Sequence, residues 1–331
     1  MLTHNNLASN ALALIDCWRF TSADRLLHAL PVLHTHGLFV AVNVALLSGA
    51  TIIFQSRFDP NAVIPAMADA TSLMGVPTFY IRLLDHPGLT REVCAGMRLF
   101  VSGSAPLLAE THDRWRERTG HAILERYGMT ETNMIASNPY DGERRAGTVG
   151  FALPGISVRI NDPESGAPAQ AGDIGVIEVR GPNVFRGYWR MSEKTAQEFR
   201  PDGFFITGDL GRFDTDGYLH IVGRAKDVVI SGGFNVYPKE VECEIDAIDG
   251  VLESAVFGIP HPDLGEGVTA VVVLNSGAYL TEAAILSALA GRVAKFKTPK
   301  RVFVVESLPR NAMGKVQKAA LRDAYKEIFC S

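Results

Sequence analysis

The sequence predicts an α/β fold in three successive textures. Over residues 1–140, short apolar runs such as Thr51–Phe54, Ser72–Pro77 and Met97–Ser102 alternate with helical stretches. That is the pattern of a mostly parallel sheet with helices on its faces. From 141 to 223 the strands shorten (155–160, 175–180, 218–222) and turn clusters appear at Asp162-Pro-Glu-Ser-Gly166 and Asp214-Thr-Asp-Gly217. These predict an antiparallel, barrel-like subdomain. Beyond residue 224, helices and strands alternate again in a smaller α/β domain.

Taken in order, residues 7–18 read as a helix with Asn5 or Asn6 as its cap. Leu38 to Phe54 is the most apolar run, but Asn43 and Ser48-Gly49 interrupt it. It therefore reads as a buried helix, a turn and a strand rather than a membrane span. A helix over 60–69 follows, and then Pro77 opens another. Strand 97–106 delivers a turn of small residues, 107–118 is an amphipathic helix, and 121–124 is a strand. In the small domain Pro238 opens a helix over 238–248. Strands near 251–258 and 268–274, a helix over 282–294, a strand at 301–305 and a helix near 316–329 complete it.

Composition narrows the function classes. The chain has 331 residues, 47% hydrophobic and 21% charged, with a net charge of -4. It is long enough for two domains and a sizeable core, and its mild negative charge argues against a nucleic-acid binder. Cys17, Cys94, Cys243 and Cys330 are far apart, without zinc-type spacing, and read as reduced thiols. The first residues lack a charged region followed by an apolar one, so the reading is a cytoplasmic protein without a leader.

Parallel sheets bind ligands beyond the carboxyl ends of their strands. Two turns fall there: Ser102-Gly-Ser-Ala-Pro106 and Tyr127-Gly-Met-Thr-Glu131, the latter within Glu125-Arg-Tyr-Gly-Met-Thr-Glu131. The first lets a flat ring lie against backbone, and by itself reads equally as a tight turn. In the second, Tyr127 can stack on a base, Thr130 can donate to a phosphate, and Glu131 can hold Mg²⁺. His34 and His36 read by themselves as a polar loop, since no carboxylate or cysteine cluster accompanies them. Thr207-Gly-Asp209 is either an ordinary turn or a carboxylate for two ribose hydroxyls. Gly223 to Glu242 combines a charged pivot (Arg224, Lys226, Asp227), a glycine pair (Gly232, Gly233) and a helix start. It reads as a domain joint that also lines a site. The basic run Arg292, Lys295, Lys297, Lys300 and Arg301 reads as a solvated surface, and Lys315 as the tip of an exposed loop.

Three motifs within Gly223–Glu242 carry a resemblance: Gly-Arg-x-x-Asp, Gly-Gly-x-Asn and Pro-x-Glu-Val-Glu, in that order. With Tyr127-Gly-Met-Thr-Glu131 and Leu308-Pro-Arg-Asn-Ala-Met-Gly-Lys315, the chain resembles the acyl-adenylate-forming superfamily of acyl-CoA synthetases, luciferases and nonribosomal peptide adenylation domains. The resemblance implies that residues 1–223 are the later part of a large AMP-binding domain, and that 224–331 are a small mobile domain. It implies ATP, Mg²⁺ and coenzyme A as co-substrates of an AMP-forming acid–thiol ligase. For the nucleotide it implies Ser104, Ala105, Pro106, Glu125, Arg126, Tyr127, Gly128, Met129, Thr130, Asp209 and Arg224, with Glu131 on the metal. For the acyl pocket it implies His34, His36, Arg57, Arg98, Ser102, Gly103 and Met129. Lys226 would be the hinge, Gly232 and Gly233 the lining of the coenzyme A channel, the basic run a rest for coenzyme A phosphates, and Lys315 the catalytic lysine. Asn311 replaces the family's common threonine.

An arginine in an acyl pocket would suit a second carboxylate. Arg57, His36 and Arg144-Arg-Ala-Gly-Thr-Val-Gly150 make the chain similar to the malonyl-CoA synthetase branch, which implies malonate, with methylmalonate as a secondary acid. A neutral short-chain, medium-chain or aryl acid stays open. Full-length members carry a phosphate-wrapping loop directly before Met-Leu-Thr-His-x-Asn-Leu, which here is residues 1–7. The expectation is therefore the later two-thirds of such an enzyme, completed by an N-terminal segment or a second chain. The alternative is a non-catalytic adenylate- or coenzyme A-binding remnant.

Overall fold

The computed structural model describes residues 1–162, 165–170, 172–311 and 314–329. Cys330, Ala312 and Met313 of the lysine loop, and Pro163-Glu164 of the first turn cluster lie outside the described residues. The chain forms two units: Met1–Thr207 with Gly211–Ile221, and Gly208–Leu210 with Val222–Ser331.

The first unit opens with α1 (His4–Trp18) and β1 (Arg25–His28). A π-helix (His36–Val42) runs directly into α2 (Asn43–Ser48), followed by β2 (Thr51–Phe54), α3 (Pro60–Ala66), β3 (Ser72–Gly75) and α4 (Pro77–Leu84). Then come β4 (Leu99–Ser102), α5 (Ala109–Thr119), β5 (Leu124–Met129), β6 (Asn133–Ser137) and β7 (Phe151–Ala152). The strands form one seven-stranded sheet in the order β2-β1-β3-β4-β5-β6-β7. It is parallel from β2 to β5 and antiparallel from β5 to β7. Helix α1 is capped by Thr3, whose hydroxyl accepts from the Asn6 N–H at 3.2 Å, and not by Asn5 or Asn6. Its buried stripe of Asn6, Asn10, Ala11, Leu14 and Trp18 has helical spacing. Asn10 donates to the Met134 carbonyl at 2.7 Å and Trp18 Nε1 to Ser137 Oγ at 2.9 Å, which docks the helix on β6.

Four more strands follow: β8 (Ser157–Asn161), β9 (Gly175–Arg180), β10 (Phe205–Phe213) and β11 (Leu219–Arg224), with α6 (Ser192–Glu198) between β9 and β10. They form a four-stranded sheet in the order β11-β10-β9-β8. Ile160, Ile177, Val179 and Leu219 pack on Tyr127, Ile135 and Ala136, so this sheet buries its apolar face against the β5–β6 hairpin.

The second unit contains β12 (Val229–Ser231), β13 (Phe234–Val236), α7 (Pro238–Asp246), β14 (Val251–His261), β15 (Gly265–Leu274), α8 (Glu282–Leu289), β16 (Arg301–Val305) and α9 (Lys318–Tyr325). The sheet order is β13-β12-β15-β14, with β16 parallel to β15. Successive residues of a strand face opposite sides. Val268, Ala270 and Val272 accordingly pack with Val241, Ile245 and Ile285, whereas Val271 and Val273 pack with Phe257 and Leu321. A sheet covered on both faces explains the unbroken apolar run in β15.

Two local expectations are revised. Tyr127–Met129 continue β5 instead of forming a turn; the reversal comes at Thr130–Thr132, between β5 and β6. The Gly232-Gly233 pair is the two-residue loop of the β12–β13 hairpin, with φ of +60° and +81°. Two successive positive φ values suit glycine and match the twist of a tight hairpin.

Candidate active site

In the first unit, strand register brings Gly75 and Ser102, at the carboxyl ends of β3 and β4, beside Glu125 near the start of β5. Alternation then puts His28, Val101 and Arg126 on one face of the sheet, and Phe100 and Ser102 on the other. Arg126 is buried, and its Nε and one terminal nitrogen have no partner among the described residues. A Cβ on Gly103 would overlap this guanidinium, so the two are in direct contact. Burial pushes the Arg126 pKa down to about 9, and near neutral pH the group is still a cation. His36 is buried beside it. Its Nδ1 lies 3.3 Å from Ser104 Oγ and its Nε2 has no partner among the described residues. Burial first, then the Arg126 cation, hold its pKa well below the usual histidine value. His34 is half-buried, depressed by the same two causes, and its Nδ1 accepts from the His36 N–H at 3.2 Å. Ser104 has φ +71°, a strained value for a residue with a Cβ. The Ser102 hydroxyl and both ring nitrogens of His28 are likewise buried without partners among the described residues. The unpaired nitrogens of Arg126, His36 and His28 lie on the same side of the sheet, and unpaired polar groups this numerous are rare in a protein interior and point to a polar ligand.

The structure therefore moves one arginine into this cluster and removes two. Arg126, expected at the nucleotide, lies beside His36 and Gly103. Arg98, expected in the acyl pocket, is bound to Asp24 through Nε at 2.6 Å and a terminal nitrogen at 2.8 Å, and donates to the carbonyls of Trp18 and Arg19. Arg57 is exposed just after β2, the edge strand, which lies about 14 Å from β4 at ordinary strand spacing. The Arg144-Arg145 pair is structural too. Arg144 donates to the carbonyls of Ala122, Pro139 and Tyr140, and Arg145 pairs with Glu143, Asp214 and Asp216.

Most of the other predicted nucleotide residues of this unit lie at the ends of β4 and β5. Ala105 is half-buried and Pro106 exposed in the turn after β4. Glu125 Oε1 accepts from the Gly147 N–H at 3.1 Å. The Tyr127 ring is mostly covered by the Ile135 cluster. Gly128 sits at a register shift, where a Cβ would overlap the Asn133 carbonyl. Met129 pairs with Asn133, and Thr130 is exposed. Among the described residues no Lys or Arg pairs with Glu131, and no three His, Cys, Asp or Glu cluster as a metal cage. A single carboxylate without an ion pair among the described residues fits Mg²⁺, which takes one or two protein oxygens and completes its shell with phosphate and water. Sequence reasoning overlooked Tyr188, whose hydroxyl stands 3.2 Å from Glu131 Oε1.

In the second unit, Arg224 Nε lies 2.6 Å from Asp209 Oδ1. The Lys315 N–H donates to Asn311 Oδ1 at 3.0 Å, and the Asn311 N–H donates back to the Lys315 carbonyl at 3.0 Å, so the asparagine closes the lysine loop. Burial first and then the Arg224 cation lower the Lys315 pKa, while Asp209 and Asp227 oppose them. Lys226 is exposed in a short 3₁₀ turn (Ala225–Asp227), and Asp227 pairs with Arg322 of α9. In the basic run, Lys297 pairs with Glu240 and Arg301 with Glu282.

The chain belongs to the AMP-binding enzyme family: the family's sequence model matches residues 1–189, and that of the AMP-binding enzyme C-terminal domain matches 240–315. Its mixed α/β architecture is that of the adenylate-forming fold. It is 36% identical over 351 residues to a malonate–CoA ligase of Arabidopsis thaliana, covering 97% of this chain and 57% of that protein. It is 37% identical over 354 residues to the mouse (Mus musculus) malonate–CoA ligase ACSF3, mitochondrial, covering 96% and 60%. The crystal structure of ATP-bound MatB from Rhodopseudomonas palustris superposes with a TM-score of 0.98 at 64% identity, over 99% of this chain and 65% of that one. The chain thus spans less than two-thirds of the length of these relatives.

Proposed function

We propose that this chain carries the acyl-, adenylate- and lysine-bearing parts of a malonate–CoA ligase, which forms malonyl-AMP from malonate and ATP with release of pyrophosphate and then malonyl-CoA. The observation that carries the dicarboxylate is Arg126. A buried guanidinium with unpaired donors is costly unless an anion meets it. Beside it stand His36 and Ser104, which are short-range polar partners suited to a small acid and ill suited to an alkyl or aryl tail. Methylmalonate adds one methyl group and serves as a secondary substrate. Relatives named as malonate–CoA ligases support the same reading.

The residues divide the work. Ser104, Ala105, Pro106, Tyr127, Gly128, Met129 and Thr130 form the nucleotide side, and Asp209 with Arg224 takes the ribose. Arg126 leaves that set and holds the distal carboxylate, with His34, His36 and Gly103 around it, while Ser102 faces the other side of the sheet. Glu131 holds Mg²⁺, which when bound offsets phosphate charge during displacement. Lys315 supplies the cation that stabilises charge developing as the acid attacks the α-phosphorus. Residues 1–223 form the adenylate-binding part and 224–331 the small part that carries Lys315, with Lys226 as hinge and Gly232-Gly233 lining the coenzyme A channel. No helix among the described residues is long and apolar enough to cross a membrane. Cys17, Cys94 and Cys243 are free thiols, which supports a cytoplasmic location.

The test is ATP–pyrophosphate exchange by the chain, driven by malonate, with acetate and octanoate as controls and Lys315→Ala alongside. Exchange with malonate alone, lost in the lysine variant, is expected. A second reading is adenylate binding without turnover. A folded sample that binds a malonyl-adenylate analogue yet exchanges with no acid would establish it.

A further inference from the structure

Tyr188 has no role in the reading above, yet its hydroxyl lies between two carboxylates, 3.2 Å from Glu131 Oε1 and 2.7 Å from Glu198 Oε2. The phenol is held in place. Its backbone N–H donates to Thr195 Oγ1 at 3.0 Å, and its ring meets Phe185 edge-on with centroids 4.9 Å apart. The Phe185 N–H in turn donates to the Glu131 carbonyl at 2.8 Å, so the same short segment fixes the Glu131 backbone and presents the phenol to its side chain. The two carboxylates differ in one respect. Lys194 Nζ stands 3.8 Å from Glu198 Oε1 and 4.5 Å from the centre of the Tyr188 ring, whereas no described cation pairs with Glu131.

A phenol has one proton to donate. Both carboxylates lie within reach of that proton, and no described cation neutralises Glu131. We propose that Tyr188 is a positioning residue for Glu131. Its hydroxyl donates to Glu131 Oε1, both in the free carboxylate and when a divalent cation sits on the other carboxylate oxygen. Glu131 is thereby held in one orientation in both states. This inference rests on the reading of Glu131 as the metal-holding carboxylate. Hydrogen-bond partners of this kind orient metal ligands, and their loss typically weakens metal binding by about 10–100-fold.

The test uses Mn²⁺ as a spectroscopic probe, titrated into the full chain with ATP and followed by electron paramagnetic resonance. Tyr188→Phe removes one oxygen and keeps the ring on Phe185, and a thermal melt alongside confirms that the variant is folded. Mn²⁺ binding is expected to weaken by roughly tenfold in Tyr188→Phe and at least as much in Glu131→Gln. In the Glu131→Gln background, Tyr188→Phe is expected to add nothing, because the hydroxyl acts through that carboxylate. Unchanged Mn²⁺ affinity in Tyr188→Phe, with affinity lost in Glu131→Gln, overturns the positioning role alone. An equal further loss in the Glu131→Gln background overturns it as well, since the hydroxyl would then serve the fold. If Glu131→Gln binds Mn²⁺ like the wild type, or the wild type binds none, the metal assignment of Glu131 falls and the positioning role falls with it.

Discussion

The guanidinium of Arg126 occupies the space that a side chain at Gly103 would need. A buried cation with unpaired donors is retained against its own stability cost, which is a common signature of a binding site. Arg126→Met is therefore expected to leave the fold as stable or to stabilise it by about 1–3 kcal/mol. The same change should abolish the preference for malonate over acetate or butyrate. Paired chemical denaturation and acid-dependent exchange measure both effects. A variant that loses stability and keeps its malonate preference would overturn the assignment.

His36 and His28 make the first unit sensitive to acid. Both pKa values are lowered by burial, His36 strongly. In the unfolded chain these side chains protonate near pH 6.5, whereas in the folded chain they stay neutral to lower pH. Below about pH 6.5 the unfolded state therefore binds more protons, and stability falls as pH falls. Above that value both states are neutral and the two residues contribute no pH dependence. The melting temperature should drop between about pH 7.5 and about pH 5.5, and His28→Leu should reduce the drop.

Arg98 should matter to stability and not to the choice of acid. It binds Asp24 at two points, and the Asp24 side chain is only 5% exposed. Hydrogen bonds from Arg98, Thr21 and Thr71 lower the Asp24 pKa despite the opposing effect of burial. Arg98→Ala leaves that carboxylate buried without its cation and should cost about 2–3 kcal/mol, less than a fully buried pair because the arginine is partly exposed. Denaturant unfolding reads the loss. The KM for malonate should stay within about twofold of wild type.

Lys315 is held near Asp209, Asp227 and Arg224, so its charge depends on its neighbours. Lys315→Ala should reduce adenylation by about 10²–10³-fold with little change in thermal stability. Asp209→Asn removes a carboxylate that supports the ammonium and should lower the Lys315 pKa further. The alkaline limb of the rate profile should then move to lower pH, while the acid limb stays in place. An alkaline limb unmoved in Asp209→Asn would separate the two residues.

Much of the fold was legible in the chain itself. Pro77 and Pro238 mark helix starts, the turn of small residues after β4 sits at a strand's carboxyl end, and the unbroken apolar run of β15 marks a strand buried on both faces. These features are local, because a missing N–H, a missing Cβ or a run of apolar side chains acts within a few residues. Strand β1 escaped notice because four residues, Arg25 to His28, carry too little periodicity to separate from a loop.

The choice among arginines was settled only by tertiary structure. Arg57 follows one strand, Arg98 precedes another and Arg126 lies within β5, and their neighbours along the chain do not say which of them meets a carboxylate of the protein. Arg98 finds Asp24, 74 residues earlier; Arg57 leaves an edge strand; Arg126 falls beside His36 and Gly103. Types of chemistry and their order along the chain are written in the sequence by itself. Which charge is neutralised and which is left for a ligand depends on strand order and side-chain parity, and those exist only once distant segments have paired.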